Sequence, residues 1–311
     1  LASGYYPAHI RHRFRRQSGR RLAVRGGGPQ NTKGGCPKMR TVNRRKSTIG
    51  FLVIVLALLA AVTVAGMILE DGAKVTDFTR TNLKPSLQYP FGTDWMGRDM
   101  FLRTLTGLSL SIRIGLLTAL ISSLIALVLG ILAALGRKAD AVISWCIDLM
   151  MGIPHILLLL LISIACGKGF TGVVVGVAVS HWTSLARVVR GEVLQLRQAP
   201  YILAAEKLGV PRKTIIKNHM IPHLLPQFLT GLILTFPHAI LHEASVTFLG
   251  FGLPSEQPAI GVILSESMRY LTTGQWWLAL FPGLALVLTV MMFALLGERI
   301  RRLLDPASVH E

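Results

Sequence analysis

Six long apolar runs alternate with shorter polar intervals along the chain, at approximately residues 48–69, 112–135, 142–166, 172–190, 222–249 and 277–297. A helix rises about 1.5 Å per residue and the hydrocarbon of a bilayer is roughly 30 Å thick, so ~20 apolar residues cross it. The pattern therefore predicts an all-α membrane protein with six spanning helices. The first run follows a basic flank, as a signal peptide would, but it is longer than an ordinary h-region. Its Ile68-Leu69-Glu70 exit also lacks a small-x-small cleavage site, so it reads as an uncleaved anchor.

The polar intervals divide the chain further. Residues 1–47 form a basic tail with the Gly- and Arg-rich composition of disorder, 70–111 a long outer segment, 112–306 a core of five helices, and 307–311 a short end. Within the core, 191–221 is a polar, basic loop. The first methionine is Met39, which makes it the expected start and residues 1–38 a dispensable extension; a basic arm for RNA or lipid headgroups is the rival reading.

Hydrophobic residues make up 51% of the chain, too much for one soluble core. The net charge of +18 suggests nucleic acid, but 13 of the 33 Lys and Arg residues lie in the tail, so no nucleic-acid partner is expected. Placement of the others sets orientation. With the N-terminus inside, inner loops hold twelve positive residues (two in 136–140, seven in 187–220, three in 298–311) and outer segments eight, so both ends are expected in the cytoplasm. Cys36, Cys146 and Cys166 lack paired spacing and read as small core residues.

Several residues bear on chemistry. Asp148 is an ionisable group at membrane depth, serving either an internal network or a path through the bundle, and Gly152-Ile153-Pro154 should kink the third run. The fifth run carries Pro237, His238, His242 and Glu243; the two histidines lie one turn apart, the spacing of two metal ligands on a helix. A buried polar face and a translocation lining both fit. Without HExxH, a membrane-embedded metal hydrolase using His238, His242 and Glu243 is disfavoured. An ion-coupled secondary carrier is disfavoured too, because no internal repeat is seen. Gly167-Lys-Gly-Phe-Thr-Gly172 satisfies GxGxxG with no strand before it and reads as a turn. With no GxxxxGK[ST], no ATP site or other cofactor is expected in this chain.

The loop from Tyr201 to Pro226 holds helix formers (Leu203, Ala204, Ala205, Glu206), a stop at Gly209, and a second helix start at Pro211. Alone it fits an ordinary loop or a rigid knob that another protein grips. His219 and His223 read as part of its fold. Outside, Asp94 and Arg98 sit at helical i,i+4 spacing behind Thr93, which is placed to cap. Ile263 to Leu271 is expected at the interface, and Trp276-Trp277 at headgroup level. Small residues at Gly115, Gly130, Gly172 and Gly176 suit close helix packing.

Ala204-Ala205-x3-Gly209 with His219-Met220-Ile221-Pro222 resembles the "EAA" loop of ATP-binding-cassette importer permeases, with Leu203 in place of its first Glu and the acid at Glu206. Phe91-Gly92-Thr93-Asp94-Trp95-Met96-Gly97-Arg98-Asp99 resembles the LGTDxxGRD segment of one permease of the dipeptide, oligopeptide and nickel branch; Phe248 to Leu253 and Leu304-Asp305-Pro306 resemble it as well. The resemblance implies a six-helix importer transmembrane domain and a non-catalytic permease subunit in the bacterial or archaeal inner membrane. Its partners would be a second, related permease in a heterodimer, two ATPase subunits that bind the ATP, and an extracytoplasmic substrate-binding protein. Leu203, Ala204, Ala205, Glu206, Gly209 and Pro211 would couple to the ATPases, and Gly92, Thr93, Asp94, Gly97, Arg98 and Asp99 form the outer signature. The cargo would be peptides or nickel. His238, His242, Met150 and Met151 incline the reading towards nickel or another chelated metal, with His238, His242, Glu243 and Asp148 lining the path.

Overall fold

The computed structural model describes residues 44–304, and all regular elements among them are helical, apart from an isolated bridge between Thr93 and Asp99. The Met39 start, Cys36, Asp305-Pro306 and the short C-terminal end lie outside the described residues.

The helices, in order, are α1 (Arg44–Ile68), α2 (Glu70–Lys74), α3 (Met100–Leu135), α4 (Arg137–Gly152), α5 (His155–Ala165), α6 (Gly169–Arg197), α7 (Pro200–Lys207), α8 (Arg212–Ile215), α9 (Ile221–Phe248), α10 (Ile260–Met268) and α11 (Trp277–Leu304). Of these, α1, α3, α6, α9 and α11 are each long and apolar enough to cross a membrane. A short π-helical turn, Ile216–Met220, runs α8 into α9.

The run expected as the third span is broken, not merely kinked. Helices α4 and α5 meet at 102°. Pro154 disfavours helical geometry in the residue before it, and Ile153 is extended at φ −94°, ψ 136°.

The second spanning helix begins at Met100 instead of 112, because Asp99 caps it. The Asp99 Oδ1 accepts from the amides of Phe101 (2.7 Å) and Leu102 (3.4 Å). Thr93, the expected cap, is instead buried in the preceding loop. It accepts from the Leu83 amide at 2.9 Å and donates to the Arg80 carbonyl. Arg113 therefore lies well inside α3. Helix α6 likewise runs on to Arg197, making the first residues of the 191–221 interval helical.

Helix α10 is a packed element: Ile260 and Ile263 are fully buried against α3, α9 and α11. Of the tryptophan pair only Trp276 is exposed, while Trp277 is buried, and Cys166 is exposed at the end of α5.

Helix α3 is the axis. One of its faces meets Phe236 and Ile240 of α9 and Trp277, Leu286 and Phe293 of α11, with Val55 and Leu59 of α1 alongside. Lower down, Ala126 and Ala134 meet Trp182, Ala186, Val189 and Val193 of α6. The approach there is close. A Cβ added at Gly130 would stand 2.8 Å from Val189 and 2.9 Å from the Ala186 carbonyl, while one at Gly172 would stand 2.6 Å from the Ser163 carbonyl of α5. Small residues at both crossings let the backbones touch where lipid offers no hydrophobic drive.

Gly130→Leu is expected to lower the stability of the purified protein by about 1–3 kcal/mol through overpacking. Gly191→Ala, with nothing within 4 Å of the added carbon, should leave the melting temperature unchanged or raise it. Thermal denaturation in detergent checks both, and equal shifts would show that the crossing is slack.

Candidate functional site

Three constructions stand out along the bundle. At the start of α3 the 91–99 loop folds about a carboxylate. Asp94 Oδ1 accepts from the amides of Met96 and Arg98 (both 2.9 Å), and its Oδ2 accepts from Arg98 Nε and Arg103 NH1 (both 2.7 Å). Both guanidiniums continue to Glu266 of α10, Arg98 at 3.3 Å and Arg103 at 3.0 Å. Side chains of Asp94 and Arg103 are only 5% and 3% exposed, so that pair is held out of water, while Arg98 at 13% and Glu266 at 23% complete the network nearer the surface. Gly97 is required here: at φ +72° a Cβ would lie 1.8 Å from the Asp77 carbonyl. Nearby, the Thr79 hydroxyl and amide donate to Asp77 and hold its carboxyl below the ordinary range. The sequence pairs Asp94 with Arg98 correctly but places them on a helix, whereas they close a turn. Arg103 and Glu266 it misses, since nothing local marks residues that meet across the fold.

The second construction is a cavity of about 1340 Å³ between α5, α6 and α9. One stripe of α9 lines it at every fourth residue: Pro222, Pro226, Thr230, Leu234, His238 and His242. Opposite, α6 contributes residues from Ser180 and His181 down to Glu192. The α4–α5 break lines it with Met150 to His155. His223 belongs to this wall, while His219 stays in the loop, its ring 6.0 Å from that of Tyr201.

At the end remote from the 200–221 loop, three imidazoles converge from three helices. The rings of His155, His181 and His242 lie 4.5–5.0 Å apart between centroids, and one nitrogen of each falls within 4.8 Å of the others. Of the sequence candidates, His242 joins this group and His238 lines the cavity one turn below. Glu243 does neither: it is fully buried on another side of α9, where it accepts from Thr247 at 3.1 Å. That separation removes the geometry of a hydrolase built from His238, His242 and Glu243. Asp148 also lies off the cavity wall, paired with Arg187 of α6 at 2.6 Å on an exposed surface. His155 and His181 were not singled out by sequence; a histidine following Gly152-Ile153-Pro154 in an apolar run was the available signal.

The third construction is the loop at the other end of α3. The Arg197 guanidinium donates to the Ala134 carbonyl, tying the end of α6 to the end of α3. Helix α7 then stops in a Schellman turn: Gly209, at φ +76°, donates to the Glu206 carbonyl and Val210 to that of Ala205, each at 3.1 Å. Ile202 is buried with Ile215, Met220 and Leu224, and Ala205 packs partly against them. Leu203, Ala204 and Glu206 face outward, and Leu208 is 83% exposed. Pro211 precedes α8 as expected.

Residues 126–309 match the profile of the family described as binding-protein-dependent transport system inner membrane component. Among curated proteins, the chain is 31% identical over 268 residues to a dipeptide transport system permease protein of Bacillus subtilis, covering 86% of this chain and 84% of that one. It is 34% identical over 267 residues to a putative peptide transport system permease protein of Brucella suis, covering 86% and 90%. A probable D,D-dipeptide transport system permease protein of Escherichia coli is 33% identical over 262 residues, covering 84% and 88%. In fold, the chain resembles inward-facing structures of the MetNI methionine ABC transporter, with a TM-score of 0.55 at 19% identity over 66% of this chain and 98% of the matched one.

Removing one member of the buried charge cluster leaves its partners uncompensated. Asp94→Ala is therefore expected to cost about 3–5 kcal/mol, seen as a large fall in melting temperature. Breaking the exposed Glu70–Lys74 pair with Lys74→Ala should move it far less. Comparable shifts for the two would mean that the 91–103 cluster is not held out of water.

Proposed function

The chain belongs to the family of binding-protein-dependent transport system inner membrane components, and we propose that it is the permease through which an ATP-driven importer passes short peptides or a chelated metal such as nickel. It is a multi-pass membrane subunit of the peptide type and performs no catalysis itself.

In this reading the 200–221 end faces the cytoplasm, as do both termini, and the 91–103 end faces outward. The excess of Lys and Arg in the loops at the 200–221 end supports that orientation. A second, related permease covers the open side of the cavity, two ATPase subunits supply the work, and an extracytoplasmic binding protein delivers cargo to the outer end. The names of the relatives support peptides as cargo; the imidazoles at the head of the cavity favour a metal chelate as the second reading.

One observation carries the coupling proposal. Helix α7 is anchored through buried Ile202, stopped rigidly at Gly209, and turns Leu203, Ala204 and Leu208 outward with nothing over them. Large apolar side chains held stiffly on a polar loop suit docking against another protein. Because Arg197 ties this end of α6 to α3, a push on α7 is delivered to α6 and so to His181 and the cavity wall.

In the reconstituted importer, Ala204→Glu points a charge into the proposed ATPase contact without touching the buried side of α7. It is expected to leave insertion and melting temperature intact while stimulated ATP hydrolysis and uptake fall at least about 10-fold, the effect of losing roughly 1.4 kcal/mol at such a contact. Gly209→Val, strained at its positive φ, should act in the same direction. Wild-type uptake by Ala204→Glu would overturn the docking role.

A further inference from the structure

We propose that His155, His181 and His242 form a coordination site for a divalent first-row transition-metal ion at the head of the cavity, with at least one coordination position left open to the cavity. The proposal deepens the transport reading above, because it places a metal-recognising element on the path itself.

The nitrogen atoms carry the case. His181 Nδ1 lies 2.9 Å from the Val177 carbonyl oxygen, which only accepts, so Nδ1 holds the proton and Nε2 keeps its lone pair. That Nε2 is buried and has no hydrogen-bond partner; the same is true of His155 Nδ1. An unpartnered buried polar atom is costly, and the two rings that carry these atoms are neighbours, 4.6 Å apart between centroids. A histidine that donates one ring N–H to a backbone carbonyl while its other nitrogen waits is arranged as metal-bound histidines are, with tautomer and ring direction fixed in advance.

Neutral imidazoles suit nickel, copper and zinc, and exclude magnesium and calcium, which take oxygen ligands. With metal–nitrogen distances of about 2.0–2.1 Å, ligand nitrogens around one ion stand roughly 3–3.4 Å apart. The nitrogens here all lie within 4.8 Å of one another, so one ion bound between them would join α5, α6 and α9. His238, one turn below His242 on the same stripe, is next in line towards the rest of the cavity. The ion reaches the site free or inside a small chelate, and imidazole coordination serves both.

The test uses the full permease purified in its assembled complex, dialysed against nickel chloride and, separately, against nickel held by a histidine-containing dipeptide. One ion per permease is expected in at least one arm. Binding in the first identifies the free ion as sufficient; binding in the second alone assigns recognition to the chelate. His181→Ala and His242→Ala should each weaken binding at least about 10-fold, as even outer-shell changes do. His223→Ala, on the same wall near the loop, should not. His242→Cys should retain binding and, with cobalt, show a thiolate charge-transfer band, which a merely structural role would not produce. If an alanine variant fails to fold, the cysteine variant and the nickel-induced rise in the wild-type melting temperature decide. Absence of binding in both arms, or binding indifferent to His181 and His242, would overturn the site. Neither readout involves ATP, so loss of coupling in the Ala204 experiment leaves this result separate.

Discussion

The close crossing of α3 and α6 is the contact on which the other parts depend. At Gly130 the absence of a side chain brings the backbone of α6 against α3, and dispersion between the two surfaces replaces the hydrophobic drive that lipid withholds. Once α6 is fixed, so is what it carries. Its middle presents His181 to the cavity, and its far end leads at Pro200 into α7. Widen the crossing and the cavity wall and the outward-facing loop lose their common frame together.

Charge and polarity are handled differently at each level of the bundle. At the start of α3, four ionised side chains cancel inside a closed network, and the 91–99 loop takes its shape from accepting amides on Asp94. Between α4 and α6, Asp140 meets Arg190 and Asp148 meets Arg187, which fasten a short helix whose continuation bends away. In the middle, the polar stripe of α9 faces a cavity, so its histidines escape the cost of facing hydrocarbon. Among the described residues, two histidine nitrogens without partners face that cavity, whereas none of the four charged side chains at the start of α3 leaves a buried atom unpaired.

Much of this was legible in the sequence. Apolar run length identified five spans, the Gly130 and Gly172 positions marked close packing, and the outer-signature and Ala-Ala-Gly strings pointed to the family that the comparisons establish. Misreadings cluster where local spacing competes with distant partners. Asp94 and Arg98 at i,i+4 mimic a helix, but three further donors on the same carboxylate hold the segment in a turn, and the cap passes to Asp99. At Pro154 the sequence marked a kink but not a break of 102°, because hydropathy stays high on both sides while the proline holds Ile153 extended. Glu243 sits beside His242 in sequence yet faces another way, since neighbours on a helix diverge by about 100°, whereas His155, far away in the chain, comes into contact with His242.

Helix α3 is 36 residues long without a break, about 54 Å of continuous hydrogen-bonded rod. That exceeds the hydrocarbon thickness by roughly 24 Å, several turns of helix. Arg113 is exposed after the first four turns, and the turns before it carry the Arg103 anchor. A rod without a break has no joint between that anchor and its far end. Strain applied at Glu266 therefore travels along a single beam to the Ala134 carbonyl that Arg197 grips, and a thicker or thinner bilayer changes where the beam is wetted without changing its reach.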